Sequence, residues 1–130
     1  MYQMVNLEWY HMSTVLVVDD KPTQTQLICL MLNQLGMDCL VAHSGVEAIE
    51  TAKQHIPDLI IMDWIMPAKT LTGADAAQAI LSDSETQHIP VIACSALDDM
   101  SQAQSIGCVD CLQKPFHMDI LKHIVQQFVD

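Results

Sequence analysis

Arginine is absent from this 130-residue chain, and its five basic residues are all lysines. Sixteen acids give a net charge of −11 at pH 7. Phosphate backbones are held mainly by Lys and Arg, so the balance argues against nucleic acid as a partner. It argues equally against an anionic membrane surface. No apolar run approaches the ~18 residues of a membrane span. The N-terminus has no basic start followed by an apolar stretch, so no secretory signal is expected. Aromatics are scarce, six in all, and half of them (Tyr2, Trp9, Tyr10) fall in residues 1–13. That stretch has no clear period. It reads as an N-terminal extension, either an added remnant or an arm that docks on the domain or a partner, with the first reading favoured. The rest, residues 14–130, has the length of one domain.

Hydrophobic residues make up 51% of the chain, enough for a full core without staples. The cysteines are Cys29, Cys39, Cys94, Cys108 and Cys111. Their odd number, and their position inside apolar runs, predict buried thiols in a reducing cytosol rather than a disulfide framework. The expected location is therefore cytoplasmic.

From Thr14 onward, strand and helix patterns alternate. Strands are expected at 14–18, 38–42, 58–62, 89–94 and 109–113. The first helix follows Pro22, a residue suited to a first turn, and Gly36 closes it. Leu27, Met31 and Leu35 recur at helical spacing, with Ile28 and Leu32 beside them, and predict its apolar stripe. Ser44 and Glu47 form a capping-box pattern for the second helix. Further helices are expected at about 74–82 and 98–106 and after Pro115, the last burying Ile120, Ile124 and Phe128. Five such βα units predict an α/β fold, a parallel sheet with helices on both faces.

In a parallel sheet all strand C-termini lie on one edge, where open α/β folds place their chemistry. Val15-Leu16-Val17-Val18 runs into Asp19-Asp20. Leu59-Ile60-Ile61-Met62 runs into Asp63. Ser95 ends the fourth strand and Lys114 the fifth. Three carboxylates at ~5 Å and an effective dielectric of ~20 repel by roughly 3 kcal/mol per pair. A divalent cation relieves this, and a small set of hard oxygen ligands favours Mg²⁺. Asp63 is the expected nucleophile, since aspartate can form an acyl phosphate. Lys114 would neutralise charge that develops during transfer, and the Ser95 hydroxyl would donate to a phosphoryl oxygen. Taken alone, Asp19-Asp20 could simply cap the first helix. Trp64 reads as an exposed or half-buried loop aromatic, and the Cys108/Cys111 spacing is a weak redox signal without a second pair.

These stretches, with Asp19-Asp20-Lys21-Pro22, Pro57 to Pro67, Cys94-Ser95-Ala96 and Lys114-Pro115-Phe116 in order, resemble the response-regulator receiver domain of two-component signalling. The resemblance covers residues 14–128. It implies a flavodoxin-like (βα)5 three-layer sandwich with strand order 2-1-3-4-5. It implies Asp63 as phosphoacceptor, Asp19 and Asp20 as the acidic pair that organises Mg²⁺, and the Ile65 backbone carbonyl as a further metal ligand. Ser95 and Lys114 take the switch hydroxyl and lysine roles. The implied donor is a sensor histidine kinase or histidine phosphotransfer domain. The implied output is a downstream protein target, engaged through the fourth helix, fifth strand and fifth helix.

Three departures stand out. Cys111 occupies the position of the family's aromatic switch residue. The loop 68–73 is about two residues longer than usual. Ile65 and Leu97, at the positions that border the path of attacking water, are apolar, which predicts slow self-dephosphorylation. A degenerate receiver acting as a constitutive docking module is the main alternative, kept open by Cys111. An aspartyl-phosphate hydrolase would need a second acid where Ile65 stands. A flavin carrier would need a Ser/Thr/Gly-rich loop where Asp19-Asp20-Lys21-Pro22 stands. With no output domain after Asp130, a single-domain regulator, a relay intermediate or a receiver of a longer hybrid kinase is expected.

Overall fold

The structure is a computed structural model that describes residues 12–66, 71–96 and 100–129. The elements alternate strictly: β1 (Thr14–Val18), α1 (Pro22–Gln34), β2 (Asp38–Ala42), α2 (Gly45–His55), β3 (Leu59–Asp63), α3 (Gly73–Ser82), β4 (Val91–Ser95), α4 (Ser101–Ile106), β5 (Asp110–Gln113) and α5 (Met118–Val125). The five strands form one parallel sheet in the order β2-β1-β3-β4-β5. This is the α/β, flavodoxin-like arrangement expected from the sequence.

The central strands β3 and β4 are buried at every residue, and β1 at all but its first. A strand covered on both faces needs apolar side chains of both parities, which is why these segments are continuous apolar runs. Alternate residues then feed two separate cores. Leu16, Val18, Ile60, Met62 and Ala93 face α2, α3 and α4, meeting Ala48, Ala52, Ala77, Ile80 and Ala103. Val15, Val17, Leu59, Ile61 and Ile92 face α1 and α5, meeting Ile28, Leu32, Leu121 and Val125. Each fully buried Leu or Ile contributes about 1.5–3 kcal/mol relative to exposure, so a charge at Ile60 or Ile61 would break the sandwich.

Several local expectations shift. In α1 the expected Ile28 and Leu32 are buried, but Thr25 joins them and Leu27 is 52% exposed. Thr25 can take a buried slot because its hydroxyl donates to the Pro22 carbonyl at 2.9 Å. Likewise α5 buries Leu121, Ile124 and Val125, but Ile120 is 50% exposed. Ser44 accepts from the Glu47 N–H as expected (3.1 Å), but the Glu47 carboxylate accepts from the His43 N–H rather than that of Ser44. The full reciprocal capping box is on α3, between Thr72 and Asp75. β3 begins one residue late because Asp58 serves as a stitch: its carboxylate accepts from the Thr14 N–H at 2.8 Å.

The cysteine expectation is overturned in part. Cys94 and Cys108 are buried free thiols, but Cys29 and Cys39 form a disulfide. Gly36, at φ +83°, turns the chain back so that β2 runs beside the helix it follows, which brings residues 29 and 39 together. Residues 1–11 of the N-terminal extension, Leu97 and half of the lengthened loop (68–70) lie outside the described residues.

Candidate functional site

Strand register builds the site. Val18 pairs with Met62, so Asp19 and Asp63 stand level on adjacent strands. Asp63 pairs with Cys94, and Ser95 with Gln113, so Ser95 and Lys114 follow at the neighbouring strand ends. Parity decides which way the side chains face. Asp19 continues the set Val15, Val17; Asp63 continues Leu59, Ile61; Lys114 continues Leu112. All three therefore emerge on the α1–α5 side of the sheet. Ser95 has the opposite parity, that of Val91 and Ala93, and is buried.

Hydrogen bonds extend the pairing past the strand ends and fix these positions. The Asp19 N–H donates to Ala42 O (3.1 Å), the Trp64 N–H to Cys94 O (2.8 Å) and the Lys114 N–H to Ser95 O (2.8 Å). The Lys114–Pro115 peptide is cis. Lys114 Nζ donates to Asp19 Oδ2 at 2.8 Å and reaches Asp63 Oδ1 at 3.4 Å. The other Asp19 oxygen accepts from the Lys21 N–H at 3.0 Å; Lys21 is itself the N-cap of α1 and no side chain caps that helix, so the capping reading of this acid does not hold. His43, a residue the sequence did not single out, brings Nδ1 to 3.1 Å from the Asp19 carbonyl.

Asp19 and Asp63 are buried, only 1% and 6% exposed, and Asp20 is half-buried. One carboxylate oxygen from each of the three lies within 4.8 Å of the others. Burial pushes the Asp63 pKa up from 3.8 to about 6; the charges of Asp19 and Asp20 add to this, and Lys114 opposes it. Burial pulls the Lys114 pKa down, but the hydrogen bond to Asp19 and the charge of Asp63 more than reverse this and leave it raised. The pocket is therefore short of positive charge even with its ammonium in place. Three hard oxygen donors at this spacing fit a divalent cation of the Mg²⁺ type. Ile65, just beyond β3, turns its side chain to solvent.

Trp64 corrects the sequence reading. It is 6% exposed, packed in the core on the α2–α3–α4 side, with its indole N–H donating to Gln102 Oε1 on α4 at 3.3 Å. Its parity with Ile60 and Met62 was the available signal. Gly73 is also functional in placement: a methyl group there would collide with the Asp63 carbonyl. Only glycine lets the first turn of α3 rest on the strand end that carries Asp63.

Comparisons with known proteins agree with this fold. The family model for the response regulator receiver domain matches residues 15–126. Protein PilH of Pseudomonas aeruginosa is 34% identical over 113 residues, covering 85% of this chain and 92% of PilH. The Vibrio cholerae chemotaxis protein CheY4 superposes with a TM-score of 0.84 at 26% identity, covering 92% of this chain and all of that one. The receiver domain of the sensor histidine kinase PA1611 from Pseudomonas aeruginosa superposes with a TM-score of 0.81 at 30% identity, over 91% and 98% of the two chains. That structure holds a magnesium ion in its active-site cleft. The chain belongs to the response regulator receiver family of two-component signalling, whose members are signalling modules that bind Mg²⁺ at an acidic pocket. No helix among the described residues is long and apolar enough to cross a membrane.

Proposed function

We propose that this receiver accepts a phosphoryl group on Asp63 from a phosphohistidine of a histidine kinase or histidine phosphotransfer domain. The observation that carries this is the meeting of Asp19, Asp20 and Asp63 at one strand edge, with Lys114 Nζ between Asp19 and Asp63. Above pH ~6 the Asp63 carboxylate is ionised and competent to attack phosphorus. The donor P–N bond breaks as the Asp63 O–P bond forms, and the leaving imidazole keeps the electron pair and takes a proton. Asp19, Asp20 and Asp63, with the Ile65 carbonyl, are the proposed Mg²⁺ ligands. When bound, the ion screens the acids from one another and neutralises phosphoryl oxygens. Lys114 shifts from Asp63 to a phosphoryl oxygen, and the Ser95 hydroxyl donates to another. These movements alter the surface around α4, β5 and α5, which a downstream protein reads.

The test is to incubate the protein with Mg²⁺ and a small acyl-phosphate donor and weigh it intact. One phosphoryl adduct is expected, absent with chelator and absent in Asp63→Asn. A well-folded protein that stays unlabelled, or an adduct that persists in Asp63→Asn, overturns the reading.

A further inference from the structure

The fold treats its cysteines unequally. Burial pushes the Cys94 thiol up to about 12 and the Cys108 thiol up to about 11. Thiols held protonated inside a core are poor nucleophiles and resist exchange. Cys111 is half-buried and also raised by burial. Cys29 and Cys39 stand apart from the two buried thiols, and unlike Cys111 they are paired. They are joined, with Cα atoms 5.6 Å apart, and neither is fully buried. They come from separate elements, helix α1 and the edge strand β2. Both open on a surface cleft of about 550 Å³ that also presents Asn33, Asp38 and His55. That cleft gives a small thiol or disulfide a route toward the pair from solvent.

We propose that Cys29 and Cys39 form a reversible thiol-oxidation site, closed by a small disulfide and reopened by a small thiol, that locks helix α1 onto the sheet edge. One cysteine thiolate attacks the disulfide of the oxidant, forming a mixed disulfide and expelling one thiolate. The second cysteine thiolate then attacks the protein sulfur of that mixed disulfide and expels the other. The S–S bond of the oxidant is broken and the Cys29–Cys39 bond is made. Both cysteine protons leave on the two released thiols.

The lock has a place to act. Cys29 directly follows Ile28, which with Gln24, Leu27 and Met31 forms one wall of a groove of about 390 Å³ whose other wall holds Lys114 and Phe116. Closing the bond fixes that wall relative to β2. The sequence separation is 10 residues. Closing a loop of that size before unfolding lowers the unfolding equilibrium constant about a hundredfold in the chain-entropy account.

The full chain should be equilibrated in buffers of varied reduced-to-oxidised glutathione ratio, acid-quenched, alkylated and mapped by peptide mass. Cys29 and Cys39 should lose alkylation together as the ratio turns oxidising and regain it on reduction, while Cys94 and Cys108 remain thiols. Urea unfolding of the oxidised form should show the hundredfold gain, and the Cys29→Ser/Cys39→Ser double variant should show none. Full alkylation of both residues at every ratio in the folded protein would overturn the proposal. So would glutathione retained on one cysteine without an internal bond, or a bond that leaves the urea midpoint unmoved. None of these outcomes depends on whether Asp63 accepts phosphate.

Discussion

Asp63→Asn should stabilise the metal-free protein at pH 8, and by about half as much at pH 5. The Asp63 carboxyl has an ordinary value of 3.8 and a folded value of about 6. Between those values the folded chain holds a proton that the unfolded chain has released. Stability therefore falls as pH rises through this window, and the full penalty is present above pH ~6. Two units at 1.36 kcal/mol each set the penalty at about 3 kcal/mol. The side chain is only 9% exposed, so solvent screening trims this little. Asparagine keeps an oxygen that can accept from Lys114 and removes the charge. We expect a gain of about 1–3 kcal/mol at pH 8, read as a higher urea midpoint in the presence of chelator. Mg²⁺ should reverse the ranking, because a ligand at a hundred times its Kd adds about 2.7 kcal/mol to the form that binds it. A variant no more stable than the parent at pH 8 in chelator, or equally stabilised at pH 5, would refute the reasoning.

Lys114→Met leaves two buried carboxylates without their ammonium and should cost about 2–4 kcal/mol at pH 8, allowing for partial exposure. The loss should shrink at pH 5, where Asp63 takes up a proton; a pH-independent loss would point to packing alone. Gly73→Ala should lower the melting temperature by circular dichroism, at a cost of about 1–3 kcal/mol, because the added methyl collides with the Asp63 carbonyl. Helix propensity predicts the opposite sign, so a stabilised variant would refute the steric account. Gln102→Ala should cost about 1–2 kcal/mol by orphaning the buried Trp64 N–H. In a Trp9→Phe background it should also shift the Trp64 emission; unchanged emission would show that the bond is absent in solution.

The parts of this fold that sequence pattern reveals are those fixed by burial on both faces. Apolar runs located β1 and β2 to the residue and the other strands to within two residues. Each site acid was legible because a charge ending such a run has no core role there. What pattern missed depends on geometry between elements. In α1 the pattern finds Ile28 and Leu32 but adds the exposed Leu27 and omits Thr25, because leucines outnumber the cue that matters, a threonine able to satisfy its own hydroxyl and so be buried. The disulfide needed the turn at Gly36 and the direction of β2, neither of which spacing alone supplies. Trp64 could have been placed, since strand alternation carried one step beyond β3 puts it on the same face as Met62.

The charge balance of the site follows from the composition with which the chain begins. Five lysines serve 130 residues, and one of them sits between the buried acids. Lys114 lowers the Asp63 pKa, yet burial and the two neighbouring acids keep it raised. One ammonium against three carboxylates leaves a deficit of two charges, which a single divalent cation cancels and a second lysine would only halve. A pocket meant to be neutral on its own would have to do both, protonate one acid and recruit another base. This one keeps its acids close enough to ligate, at the edge where β1 and β3 end level. A cation bound there should therefore stabilise the fold as well as assist its chemistry, and the two effects should be lost together when Asp63 is made neutral.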